Sequence, residues 1–106
     1  MGRRAAAVDA NQPQIVKALR DAGATVQHLH TVGKGCPDIL VGFRGVNYLL
    51  EIKDGSKPPS ARKLTDDESA WHFQWLGDVR IVSSEQEALA AIGLGLVEIP
   101  IKGQIG

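Results

Sequence analysis

With 106 residues, 43% of them hydrophobic and 23% charged, the chain is sized for one domain with a modest core. Its net charge is zero, which argues against a protein that binds polyanions by bulk charge. The lone Cys36 excludes an intramolecular disulfide and a thiolate zinc cluster, and reads as a small residue in a reducing compartment. No stretch reads as a signal peptide, a membrane span or a myristoylation site, so a cytoplasmic protein is expected. The charge is unevenly spread: residues 1–64 hold ten Lys/Arg against five Asp/Glu, and the remainder holds two against seven. That asymmetry allows a basic face for a polyanion, although uneven solvated charge explains it equally well.

In chain order, residues 1–8 read as a flexible start. Asn11 or Gln12 can cap a helix with Pro13 in its first turn, where the missing N–H costs little. Ile15, Val16 and Leu19 give that helix an apolar stripe, and Gly23 suits the position just past its end. Thr25 to about Val32 reads as a first strand, followed by a loop over 33–37. Pro37 sits immediately before the next strand, where it removes no central ladder bond. Two apolar strands then fold about Arg44-Gly45, so that Ile39, Val41 and Phe43 share a face with Val46, Tyr48 and Leu50. Leu40 and Leu49 make the opposite face apolar as well, which predicts a sheet covered on both sides and an α/β arrangement.

Residues 54–64 form a basic loop containing two prolines. Thr65-Asp66-Asp67-Glu68 is a capping box, predicting a helix to about Leu76 with Trp71 and Trp75 on one side of it. These tryptophans are expected in core or dimer packing. Val79 to Val82 is a short fourth strand. Ser84-Glu85-Gln86-Glu87 is a second capping box, opening a helix through Ile92. The glycine-rich tail from 93 to 106 reads as an edge strand or a partner contact. No internal repeat or second domain is visible, so residues 1–106 are read as one domain.

The chemistry lies in the hairpin. Folding about Arg44-Gly45 sets Asp38 opposite Glu51, and opposed residues of an antiparallel pair face the same way, about 4.5–5.5 Å apart at Cβ. Strand alternation adds Lys53 to that face. Two carboxylates held together repel unless a cation or a shared proton intervenes. Asp38, Glu51 and the backbone carbonyl of Ile52 could supply oxygens to Mg²⁺ or Mn²⁺, which keep several waters of their own. Such an ion lowers the pKa of a bound water and stabilises charge on a phosphate. Lys53 could orient or deprotonate that water, or offset charge in the transition state. The bland alternative is a strand-end salt bridge, since Glu-x-Lys alone is common. The matched Asp38, the preceding glycine loop and Pro37 favour the metal site. Lys34 in that loop, with Lys57, Arg62 and Lys63 in the basic loop, are candidate phosphate contacts. His28, His30 and His72 lack metal-ligand spacing and read as surface residues.

Pro37-Asp38 and Glu51-Ile52-Lys53 together resemble the PD-(D/E)XK nuclease signature, and the αβββαβ order over about residues 9–92 resembles that superfamily's restriction-endonuclease-like fold. Within it, the segments 33–42 and 51–55 are most similar to the small VRR-NUC nucleases of phages and to archaeal Holliday-junction resolvases. The resemblance implies a divalent-metal-dependent DNA endonuclease acting on Holliday junctions or other branched DNA. It implies a homodimer, and a bacterial or phage-infected host cytoplasm. The family's first-helix glutamate falls at Gln12, which makes Gln12 a candidate catalytic position but weakens the case for a second metal. Glu68 stands near a family glutamine, although its capping role already accounts for it. The alternatives are a catalytically silent nucleic-acid-binding module on the same scaffold, a nicking or flap nuclease, and a small protein-binding scaffold.

Overall fold

The computed structural model describes residues 8–95. Helix α1 (Gln12–Asp21) starts at Asn11 with Pro13 in its first turn. The Asn11 side chain makes no cap bond to its own helix. Its amide instead donates to the carbonyls of Lys53 (3.0 Å) and Ser83 (3.2 Å), tying the helix start to two strand ends. Gly23 terminates α1 with a φ of 101°, a conformation that favours glycine. The bonds Gly23 N–H to Arg20 and Ala24 N–H to Leu19 complete a Schellman stop.

Strand β1 (Thr25–His28) is shorter than the sequence pattern predicts, because the chain turns back at Val32, whose N–H bonds to the Leu29 carbonyl. Strands β2 (Ile39–Phe43) and β3 (Val46–Ile52) form the expected hairpin, with Ile39 opposite Leu50 and Phe43 opposite Val46. Arg44 and Gly45 both have positive φ, at 52° and 81°, which is the signature of a type I′ turn. Strand β4 (Arg80–Val82) runs parallel to β3, giving the sheet order β1-β2-β3-β4.

One face of this sheet carries Ile39, Val41, Phe43, Leu50, Ile52 and Val82. Against them pack Ile15 and Leu19 of α1 and Ala88 and Ile92 at helix α3 (Glu85–Ala91). Ser84 caps α3 by accepting the Glu87 N–H, but the Glu87 carboxylate takes the N–H of Ser83 rather than that of Ser84. The reciprocal half of the anticipated capping box is thus displaced by one residue.

The other face is less enclosed. Leu40 and Leu49 are half-buried, and helix α2 (Asp66–Gln74) contributes no buried residue. Its capping box is complete, with Thr65 and Glu68 each accepting the other's N–H. The helix stops two residues before Leu76, as Trp75 turns extended. Trp71 and Trp75 stack at 4.6 Å with an interplanar angle of 19°, outside the core. The basic loop from β3 to α2 contains one 3₁₀ turn, Pro59–Arg62. The expected flexible start and tail strand fall on residues 1–7 and 96–106, outside the described residues.

Candidate active site

The β2–β3 ladder ends at Ile39–Leu50, so Asp38 lies just beyond it rather than in a regular opposed pair. Three bonds fix Asp38 there. Its N–H donates to the Leu50 carbonyl (3.1 Å), its carbonyl accepts from Leu29 N–H (2.8 Å), and its carboxylate accepts from Ile52 N–H (2.7 Å). In a continued ladder residue 37 would face Ile52. The fully buried Pro37 has no N–H to donate across the ladder, and the Ile52 N–H donates to the Asp38 carboxylate instead.

Glu51 is only 2% exposed. Its Oε1 is buried without a hydrogen-bond partner, and its Oε2 lies 3.7 Å from Lys53 Nζ. Burial, reinforced by the charges of Asp38 and Glu68, pushes the Glu51 carboxyl up to about 9. Burial also raises Asp38, against the lowering effect of the bond it accepts from the Ile52 N–H. The geometry therefore gathers two carboxyl groups that resist ionising together.

Lys53 is held by Glu68, whose Oε1 accepts from Nζ at 2.7 Å and from Thr65 N–H at 2.9 Å. Burial alone would lower the Lys53 ammonium. The Glu68 hydrogen bond and the charges of Glu68 and Glu51 outweigh it and raise the pKa. Burial alone would likewise raise Glu68, and its bonds to Lys53 and Thr65 hold it below the usual range instead. Capping therefore does not exhaust the role of Glu68. The signal was its place three residues after Thr65, on the helix that follows Lys53, but the contact itself is tertiary.

The donor set suits a small hard cation. Lys53 N–H bonds to the Val82 carbonyl on the β4 side, whereas Ile52 N–H faces Asp38 on the β2 side. Because a strand residue's N–H and C=O point the same way, the Ile52 carbonyl faces the space β2 has vacated. Two carboxyls with raised pKa, one orphaned oxygen and a neutral carbonyl fit an ion that supplies waters of its own. Among the described residues no group of three or more His, Cys, Asp or Glu is arranged to hold a metal. A softer, protein-saturated site of the zinc type therefore does not fit the arrangement.

The remaining candidates are placed as follows. Gln12 is 2% exposed, yet its side chain meets His28 (Nε2 to Nδ1, 3.4 Å) rather than the carboxyl pair. Lys34 is exposed in the 33–37 loop with a φ of 55°. The neighbouring Gly35 presses on α2 so closely that a Cβ there would strike the Asp67 carbonyl. Lys57 and Lys63 are exposed and Arg62 is half-buried, all in the loop joining Lys53 to the helix that carries Glu68. Cys36 is half-buried, and burial with the charges of Glu51 and Asp38 keeps its thiol protonated, which argues against a nucleophile.

No protein-family model and no curated protein matches the chain. A solved VRR_NUC domain does, at a TM-score of 0.57 and 23% identity, covering 79% of this chain and 96% of that domain. The chain has the VRR_NUC fold. The restriction-endonuclease-like core expected from the order of elements is accordingly present. Within the VRR_NUC fold, Asp38, Glu51 and Lys53 lie at one corner of the sheet, where β2 ends and β3 leads into the basic loop.

Proposed function

We propose that this chain is a divalent-metal-dependent DNA endonuclease that hydrolyses phosphodiester bonds, with branched DNA such as a Holliday junction as its substrate. The observation that carries this reading is the buried Glu51, set between Asp38 and Lys53 with one oxygen unpartnered. A strand-end salt bridge offers no reason to bury that carboxylate beside a second one. Asp38, Glu51 and the Ile52 carbonyl would hold one Mg²⁺ or Mn²⁺, which supplies Lewis-acid polarisation of the phosphate and acidifies a water. Gln12 brings no charge for a second ion.

Lys53 acts as an ammonium. Its raised pKa suits it to orient the attacking water and to offset charge on the phosphate, rather than to take a proton. Glu68 holds that ammonium in place through the 2.7 Å bond. Lys34, Lys57, Arg62 and Lys63 would track the DNA backbone without reading sequence. The preference for branched DNA rests on the resemblance of segments 33–42 and 51–55 to VRR-NUC nucleases. A homodimer is supported by the exposed Phe73 and Leu76 on and just after α2, at 89% and 99%.

The test is to incubate labelled junction and plain duplex with Mg²⁺ or Mn²⁺, comparing wild type with Lys53→Ala. Metal-dependent cleavage that falls by about 10²–10³-fold in the variant is expected. DNA binding without cleavage of any substrate would leave the silent binding module as the correct reading.

A further inference from the structure

A cavity of about 580 Å³ opens between α1 and β1, walled by Val8, Gln12, Pro13, Val16, His28 and His30. Its volume is in the range of small-ligand sites. Asp38, Glu51 and Lys53 do not line it, but chain neighbours of its lining residues are bonded to the backbone of Asp38 and Lys53. Asn11, next to Gln12, donates to the Lys53 carbonyl at 3.0 Å. Leu29, between the two histidines, donates to the Asp38 carbonyl at 2.8 Å. The cavity therefore adjoins the corner where a scissile phosphate would lie.

Its polar lining is incomplete. Gln12 is almost fully buried, yet its Oε1 has no hydrogen-bond partner, and the buried Nδ1 of His30 has none either. A buried amide oxygen without a donor is costly, and such groups commonly await a ligand. The rim does not favour an anion, because its cations are already engaged. Lys17 pairs with Asp21 at 2.6 Å, and Arg20 donates to the Val26 carbonyl at 3.3 Å. What fits is a flat, neutral group with a hydrogen-bond donor. An unpaired adenine has that form: its exocyclic amine can donate to Gln12 Oε1 while an adjacent ring nitrogen accepts from Nε2. Val8, Pro13 and Val16 offer the apolar surface on which an extruded base is held.

We propose that this cavity receives an unpaired adenine of the DNA strand beside the scissile phosphate, with Gln12 reading its amine. The inference rests on the nuclease reading and adds to it a base-specific subsite. It is tested by equilibrium binding of the metal-free full chain to duplexes carrying one unpaired residue. That residue is adenine, purine lacking the exocyclic amine, or an abasic site, with a fully paired duplex as reference. The adenine bulge should bind about tenfold tighter than the purine or abasic bulge. Gln12→Leu, checked for folding by circular dichroism, should bind the adenine and purine bulges alike. Equal affinity of the wild type for the adenine and purine bulges overturns the subsite, and this comparison needs no variant. Retention of the adenine preference by a folded Gln12→Leu also overturns it. Neither result touches the nuclease reading, which is judged by metal-dependent cleavage of junction and paired DNA. Failure to bind any of these duplexes also overturns the subsite, while the nuclease reading stands or falls on that cleavage.

Discussion

Glu51 keeps its proton at neutral pH in the metal-free protein, since burial and two neighbouring carboxyls push it up to about 9. The unfolded chain releases that proton near the ordinary glutamate value. Between those values the folded state binds more protons, so metal-free stability falls as pH rises. Glu51→Gln removes this dependence. Its melting temperature should match wild type near pH 4.5 and exceed it by several degrees at pH 9, with the gap closing when Mg²⁺ is added. A constant gap across pH would place the proton elsewhere. Binding of Mg²⁺ at pH 7 should release close to one proton, measurable by calorimetry in buffers of different ionisation enthalpy. For Glu68, the Gln variant keeps an oxygen that accepts from the Lys53 ammonium but loses the opposing negative charge. We expect kcat to drop about tenfold with KM for DNA little changed, because a charge-assisted bond is the stronger one. Asp38, Glu51 and Lys53 were all legible from spacing about one turn. The Glu68–Lys53 bond was not, because it joins residues fifteen apart across a loop whose path no local pattern fixes.

At the scale of elements, periodicity and caps located the three described α-helices, though not the 3₁₀ turn at Pro59–Arg62, and the Arg44-Gly45 midpoint set the hairpin register correctly. What escaped was where strands stop. β1 ends at His28 because the chain reverses just beyond it, and β2 ends before Asp38 because that carboxylate supplies an acceptor of its own to β3. The turn offers a direct check. Arg44 holds a left-handed φ of 52° at a position where Asn is far better suited. Arg44→Asn should stabilise the protein by about 0.5 kcal/mol, seen as a higher melting temperature. Gly35 is the opposite case, with a φ of 82° and no room for a side chain against Asp67. Gly35→Ala should cost about 2 kcal/mol or more, and should weaken cleavage by displacing the loop that leads into Asp38.

Across the whole molecule, one apolar layer between the sheet and α1 with α3 provides the core, and the candidate site is assembled where its strands run out. None of the described helices is long and apolar enough to cross a membrane. The cavity beside Gln12 was invisible to sequence, since its walls come from a helix and a strand end brought together only by packing. If the exposed Phe73 and Leu76 seat a second copy, changing both to Ser should yield a monomer by sedimentation without lowering the melting temperature of the protomer. Helix α2 has a further consequence. It adds nothing to the apolar core, and its described hydrogen bond to the sheet is the ammonium contact of Lys53. Its amides should therefore exchange with deuterium well before those of β2 and β3, as a unit that opens by itself. The stacked Trp71 and Trp75 ride on that unit, so their coupled near-ultraviolet dichroism would report its departure separately from global melting. On warming, the proposed cleavage should then be lost while the sheet is still intact.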